Sequence, residues 1–268
     1  MKAAEYRLAL LGLLLFVPAV ARQWQISRST VHAEHIIVAG GRRVPVTVVH
    51  PSEPPVADAI VLHGLIANRR LMLPVARVLA AAGVRSFVLD LPGHGDNAQP
   101  FSFTRAEECA RAATQELARQ QEIQLQRTVF LGHSMGGAIA IRLADHFPDS
   151  LATIAFSPAP FDVAAWVPRV FVPFAAPRRV PANLLILMAE FDLPLSERAA
   201  QELIRQTGGP RDAPADFRAR NAAKLAVIPA STHTSLLFTE STTAATLRWI
   251  SAARSASPEF AAGPPPRW

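Results

Sequence analysis

With 268 residues, half of them apolar, the chain can bury the core of one large domain, and its 27 basic against 21 acidic residues leave a formal charge of +6. The basic residues are scattered, with no long basic block and no interleaved aromatic run, which argues against a nucleic-acid partner. Cys109 is the lone cysteine, so an intramolecular disulfide is excluded, and its helix-like surroundings suit packing rather than nucleophilic catalysis.

The chain opens on Lys2 and Arg7, an apolar run over Leu8–Val17, and then Pro18 and Ala19-Val20-Ala21. A positive start, a short apolar stretch and an A-x-A site are the parts of a secretory signal peptide. Residues 1–21 are therefore expected to direct export, periplasmic or secreted, with cleavage after Ala21. The alternative is an uncleaved N-terminal anchor that associates the protein with a membrane, although the run is short for a full span.

The folded domain is expected over 34–254. Two β-rich runs, His35–Ala39 and Val44–His50, flank Gly40-Gly41 and suit a hairpin. Strands are then expected at Ala59–Leu62, Arg85–Leu89, Thr128–Leu131, Leu151–Phe156, Leu184–Met188 and Lys224–Ile228. Helices are expected at Leu71–Ala82, at Thr104–Gln120 with Thr104 and Glu107 as a capping box, and from Met135 to about His146. This alternation predicts an α/β fold, with a mostly parallel central sheet and helices on both faces. Two stretches break the rhythm. Residues 158–183, proline-rich and apolar, read as a short lid insertion, and 255–268, with four prolines, as a loose tail.

The chemistry-bearing residues gather where strands end. Gly132-His133-Ser134-Met135-Gly136 fits G-x-S-x-G, and it follows a strand and opens a helix, the context that motif requires. Ser134 is thus the candidate nucleophile. A serine hydroxyl needs a neighbouring base. Of the eight histidines, His233 follows the last strand and is the candidate. His63, His94 and His133 suit loop support, since the side chain of His133 must point away from that of Ser134. His32, His35 and His50 come too early, and His146 ends a helix. For the carboxylate that orients the base, Asp192 follows Leu184–Met188, with Glu190 and Asp162 as competitors. The backbone N–H groups of Met135 and Leu65 are candidates for the oxyanion hole.

These marks resemble the α/β-hydrolase superfamily, particularly its serine esterases and monoacylglycerol-lipase-like members. The resemblance rests on His63-Gly64-Leu65, Asp90-Leu91-Pro92-Gly93-His94-Gly95, Gly132-His133-Ser134-Met135-Gly136-Gly137, Asp192 and His233, in that order, over about Ile36 to Ile250. Asn97 departs from the serine common after the Gly-His-Gly-x loop, a difference that touches loop structure more than chemistry. The insertion after Phe156 is much shorter than a full cap domain.

What the resemblance implies is an enzyme that cleaves a small-molecule carboxylic ester through an acyl-enzyme, with no cofactor and no metal. Acyl transfer, perhydrolysis or C–C bond cleavage with the same triad is the alternative, and a non-catalytic binding protein on this scaffold a third reading. Within Ser157–Asn183, Phe161, Trp166, Phe171 and Phe174 are candidates for the substrate pocket. An apolar roof there favours short-to-medium acyl chains.

Overall fold

Short apolar runs flanked by glycine- and proline-bearing turns become strands buried on both faces, and longer amphipathic segments become the helices that bury them. The computed structural model of the protein describes residues 30–39, 42–162, 174–206 and 216–260. The N-terminal segment 1–21 and two of the pocket candidates, Trp166 and Phe171, lie outside them.

In chain order the strands are β1 (Thr30–Ala39), β2 (Arg42–Pro51), β3 (Ala57–Leu62), β4 (Val84–Leu89), β5 (Thr128–His133) and β6 (Ala152–Phe156), followed by β7 (Phe161–Asp162), β8 (Phe174–Ala175), β9 (Leu184–Phe191) and β10 (Ala223–Thr232). The helices are α1 (Arg69–Ala81), α2 (Phe103–Arg119), α3 (Met135–His146), α4 (Pro194–Gln206) and α5 (Glu240–Ala256). Eight strands form one sheet in the order β1-β2-β4-β3-β5-β6-β9-β10. β1 pairs with β2, and β2 with β4, antiparallel; every later pairing in that sheet is parallel. β7 and β8 form a separate two-stranded parallel pair.

Side chains alternate between the faces of the sheet. Ile60, Leu62, Phe87 and Leu89 pack with buried residues of α2, α3 and α4, whereas Ala59, Val61, Val88 and Val129 pack with those of α1 and α5. Burying each such aliphatic side chain contributes on the order of 1.5–3 kcal/mol. The register brings the parallel strands to a common edge, with Leu62 opposite Leu89 and Gly132, and His133 opposite Phe156. The loops that leave this edge carry His63, Ser134, Asp192 and His233.

Several local boundaries differ from the sequence expectations. α1 starts two residues early because the Asn68 side chain accepts from Arg70 N at 3.0 Å. Ser102, not Thr104, caps α2, accepting from Arg105 N at 3.1 Å. α4 and α5 were not anticipated. α5 begins at a Thr239 cap that accepts from Thr242 N at 3.1 Å. It runs to Ala256, past the Ser255 at which a loose tail was expected. The turn Pro258–Phe260 then packs back, with the Arg127 and Arg254 guanidinium carbons 5.2 and 5.6 Å from the Phe260 ring centre. Among the described residues no helix is long and apolar enough to cross a membrane.

Candidate active site

β5 ends at His133 and α3 begins at Met135, which leaves a single residue, Ser134, to turn the chain. Its backbone sits at φ 54° and ψ −118°, a strained region for a residue with a Cβ. The turn is held from three sides. Ser134 N donates to Phe156 O at 2.9 Å, and Ser134 O accepts from Ala138 N at 3.1 Å and Ala159 N at 2.9 Å. It also forces the flanking backbones together. A Cβ on Gly132 would strike the Gly136 carbonyl, and one on Gly136 would strike the Leu62 carbonyl, so both positions need glycine. Met135, the first helical residue, has no carbonyl behind it within the helix to accept its N–H. That N–H and the helix dipole favour negative charge beside Ser134.

The loop after β3 comes close to the elbow, since a Cβ on Gly64 would lie 3.1 Å from that of Ser134. Leu65 follows, 41 % exposed, and then Ile66, fully exposed at φ 57°. A polar network beneath fixes this loop. The Asp90 carboxylate accepts from Arg69 N at 2.8 Å and Asp96 N at 2.8 Å and pairs with the buried Arg69 guanidinium. Asn97 Nδ2 donates to Asp90 O at 2.9 Å, so this departure from the resembled family supports the loop. His63 Nε2 accepts from Leu91 N at 3.0 Å, and His94 Nε2 accepts from Ile66 N at 3.3 Å. Burial lowers the His63 pKa to about 4, so it stays neutral and can accept.

The structure brings Asp192 and His233 together: His233 Nδ1 lies 2.9 Å from Asp192 Oδ1. The carboxylate side chain is 2 % exposed and the imidazole 35 %. Burial raises the Asp192 pKa, but His233, the neighbouring Ser157 hydroxyl and the Leu193 N–H outweigh it and hold the group below the usual carboxylate range. The second oxygen, Oδ2, is buried without a well-formed hydrogen bond. Glu190, a competing acid, is engaged elsewhere: its Oε2 accepts from Ala230 N at 2.6 Å. Ala230 (φ 51°) lies in a register irregularity of β10 between Ile228 and Thr232, which turns the chain toward His233. Asp162 is on β7, which pairs with β8 and not with the main sheet.

Two pocket candidates are buried in the core. Phe161 and Phe174 lie 6.3 Å apart by ring centres, and Phe174 also meets Phe103 at 5.6 Å. Phe174 borders a groove of about 400 Å³ with Glu107, Arg111, Arg142 and His146, on the outer side of α2 and α3. Large apolar side chains exposed beside the site residues in the chain include Leu65, Ile66, Phe191 and Leu193. Sequence reasoning named Leu65 for its backbone N–H alone and gave the four side chains no role, because isolated apolar residues in loops carry no periodic signal. Among the described residues no group of three His, Cys, Asp or Glu side chains is arranged to hold a metal.

A mostly parallel sheet with helices on both faces, a serine on a strand-to-helix turn, and a paired Asp and His on later strand ends define an α/β hydrolase. A family model described as alpha/beta hydrolase family matches residues 59–267, and the chain belongs to that family. It is 32% identical over 139 residues to a pyrethroid hydrolase of Sphingobium wenxiniae, covering 51% of this chain and 48% of that protein. The chain spans less than half the length of the curated relatives it matches. Among solved structures, a dienelactone hydrolase from Anabaena variabilis superposes with a TM-score of 0.60 at 18% identity, over 82% of this chain and 97% of that one. A CIB-like hydrolase from Thermoplasma acidophilum gives 0.59 at 17% identity, over 82% and 98%. At these identities the likeness is one of fold.

Proposed function

We propose that the protein is a serine hydrolase of carboxylic esters that works through an acyl-enzyme on Ser134. The observation that carries this is the 2.9 Å contact of His233 Nδ1 with the buried Asp192 carboxylate, on the same sheet edge as the Ser134 elbow. In this mechanism the Asp192 bond keeps the His233 proton on Nδ1 and leaves Nε2 free to take the Ser134 proton. Ser134 Oγ attacks the ester carbonyl, and the oxyanion is met by the N–H groups of Met135 and Leu65. The imidazolium of His233 then protonates the leaving alcohol. Water, deprotonated by the same ring, releases the acid and restores Ser134.

The substrate is an ester with a short-to-medium acyl chain or a monoacylglycerol-like shape. Leu65, Ile66, Phe191 and Leu193 support this reading, since each methylene removed from water contributes about 0.8 kcal/mol. The relative named as a pyrethroid hydrolase also supports an apolar substrate. Export through residues 1–21 belongs to the same proposal, and the N-terminal mass of protein taken from the native envelope tests it. The test of the chemistry is fluorophosphonate labelling alongside turnover of acyl esters of graded length. Wild-type protein should be labelled and should hydrolyse them, and Ser134→Ala should lose both while remaining folded. Near-wild-type turnover in folded Ser134→Ala sinks the acyl-enzyme.

A further inference from the structure

His133 fills the variable position before the nucleophile, and its ring is almost wholly buried. Its Nε2 lies 2.7 Å from the backbone carbonyl oxygen of His233, a residue 100 positions later in the chain. The two imidazole rings stand 4.8 Å apart by their centres, tilted by 52°. On the opposite side the ring abuts Gly64, where an added Cβ would come within 3.1 Å of Nδ1. One side chain therefore touches the oxyanion loop, the elbow and the loop of the base.

Proton placement follows from the partners. A carbonyl oxygen only accepts, so Nε2 must carry the hydrogen. Burial lowers the His133 pKa to about 4, and the titratable groups that face it are His233, Asp192 and His63. The ring is thus neutral at ordinary pH, with Nδ1 a bare acceptor. That nitrogen is buried and has no hydrogen-bond partner among the described residues. A phenylalanine or methionine would fill the same space without an orphaned polar atom. What the imidazole adds is the bond to His233.

We propose that His133 is a positioning residue for the general base, its Nε2–H holding the His233 backbone in the place where the imidazole serves Ser134. Asp192 fixes the outer end of His233 through its ring, and His133 fixes the inner end through its backbone. Because His133 stays neutral, it does not oppose the positive charge that His233 gains during acylation. A cationic ring at 4.8 Å would.

This inference rests on the serine-hydrolase reading, and a pair of polar variants of the whole chain tests it separately. In His133→Gln the side-chain amide can reach the His233 carbonyl; in His133→Asn it falls short. With thermal unfolding showing both folded, kcat on a short acyl ester should drop ten- to a hundredfold in His133→Asn with KM within about twofold. His133→Gln should recover to within about threefold of wild type. The downfield proton resonance of His233 Nδ1–H, held by Asp192, should persist in wild type and His133→Gln and be lost to solvent exchange in His133→Asn. If His133→Asn does not fold, His133→Phe takes its place, filling the ring's volume without a donor. Equal kcat and an intact resonance in the Gln variant and its non-donor counterpart overturn the proposal. Failure of the acyl-enzyme reading looks different, because Ser134→Ala would then retain turnover.

Discussion

On the proposed oxyanion side of the site, the loops after β3 and β4 are knitted together below the surface: Asp90 is fully buried, Arg69 is 4 % exposed, and His63, Asp96 and Asn97 all join the network. On the proposed acid–base side, the segments after β9 and β10 are joined by the His233–Asp192 and Ala230–Glu190 contacts, and Phe191 and Leu193 on either side of Asp192 are 67 and 65 % exposed. The first half is tied down by a buried polar network, while the second is anchored by the apolar side chains of Leu236 and Leu237 just after His233 and by the single contacts of Asp192, Glu190 and His133. The difference matches the role proposed for each half. An oxyanion hole works by not moving, whereas a base must trade protons with both a hydroxyl and a water.

Breaking the acid–base side should cost the most in rate. Asp192→Asn should reduce kcat by about 10⁴-fold with the melting temperature little changed, because the amide favours the wrong tautomer of His233. A loss under tenfold would remove Asp192 from the acid's role. Breaking the oxyanion side should instead appear as stability. Arg69→Leu leaves the Asp90 carboxylate buried without its cation and should lower the unfolding free energy by about 3–5 kcal/mol, read by urea denaturation. Stability near wild type in Arg69→Leu would show that the network is ornamental.

The two sides should also share one acid-sensitive term. His63 and His133 have folded pKa values of about 4 against an ordinary 6.5. As pH falls from about 6.5 toward 4, the unfolded chain takes up protons that the folded chain refuses, so stability falls across that window. Each histidine contributes about 3 kcal/mol to the fall. Chemical denaturation at a series of pH values should show this slope, and His63→Asn should remove roughly half of it. An unchanged slope in that variant would show that His63 is already charged in the folded state. The smallest effect is expected at Glu190. Glu190→Ala forfeits one hydrogen bond to the β10 irregularity, worth about 1 kcal/mol, and should slow turnover far less than Asp192→Asn. Equal losses in the two would mean that the turn of β10, not the carboxylate of Asp192, governs His233.

The parallel core was legible because strands buried on both faces must be short and apolar, and Ala59–Leu62, Arg85–Leu89 and Thr128–Leu131 each seed a strand at or near the expected bounds. The elbow was equally legible, since a serine between two glycines after such a strand has few places to go. α4 and α5 were not read, although Pro194 at a helix start and Thr239 as a cap are recognisable signals. Ser102 and Thr104 illustrate a limit of local reading. Both residue types can cap a helix, and the structure takes Ser102, which makes Phe103, packed against the core, the first helical residue. The His133–His233 bond was out of reach altogether, because its partners are 100 residues apart and one of them is a backbone carbonyl.

The strand order divides the sheet cleanly along the chain. Everything before the exposed bend at Gln121 builds β1-β2-β4-β3, and everything after it builds β5-β6-β9-β10, so β3 against β5 is the single seam. Ser134, Asp192 and His233 lie on one side of that seam, and Gly64 and Leu65 on the other. A polypeptide cut at Gln121 would yield two fragments, one bearing Ser134, Met135 and the Asp192–His233 pair, the other the Leu65 loop of the proposed oxyanion hole. Neither fragment carries a whole site, which makes the seam a natural place for a split reporter whose signal requires reassembly.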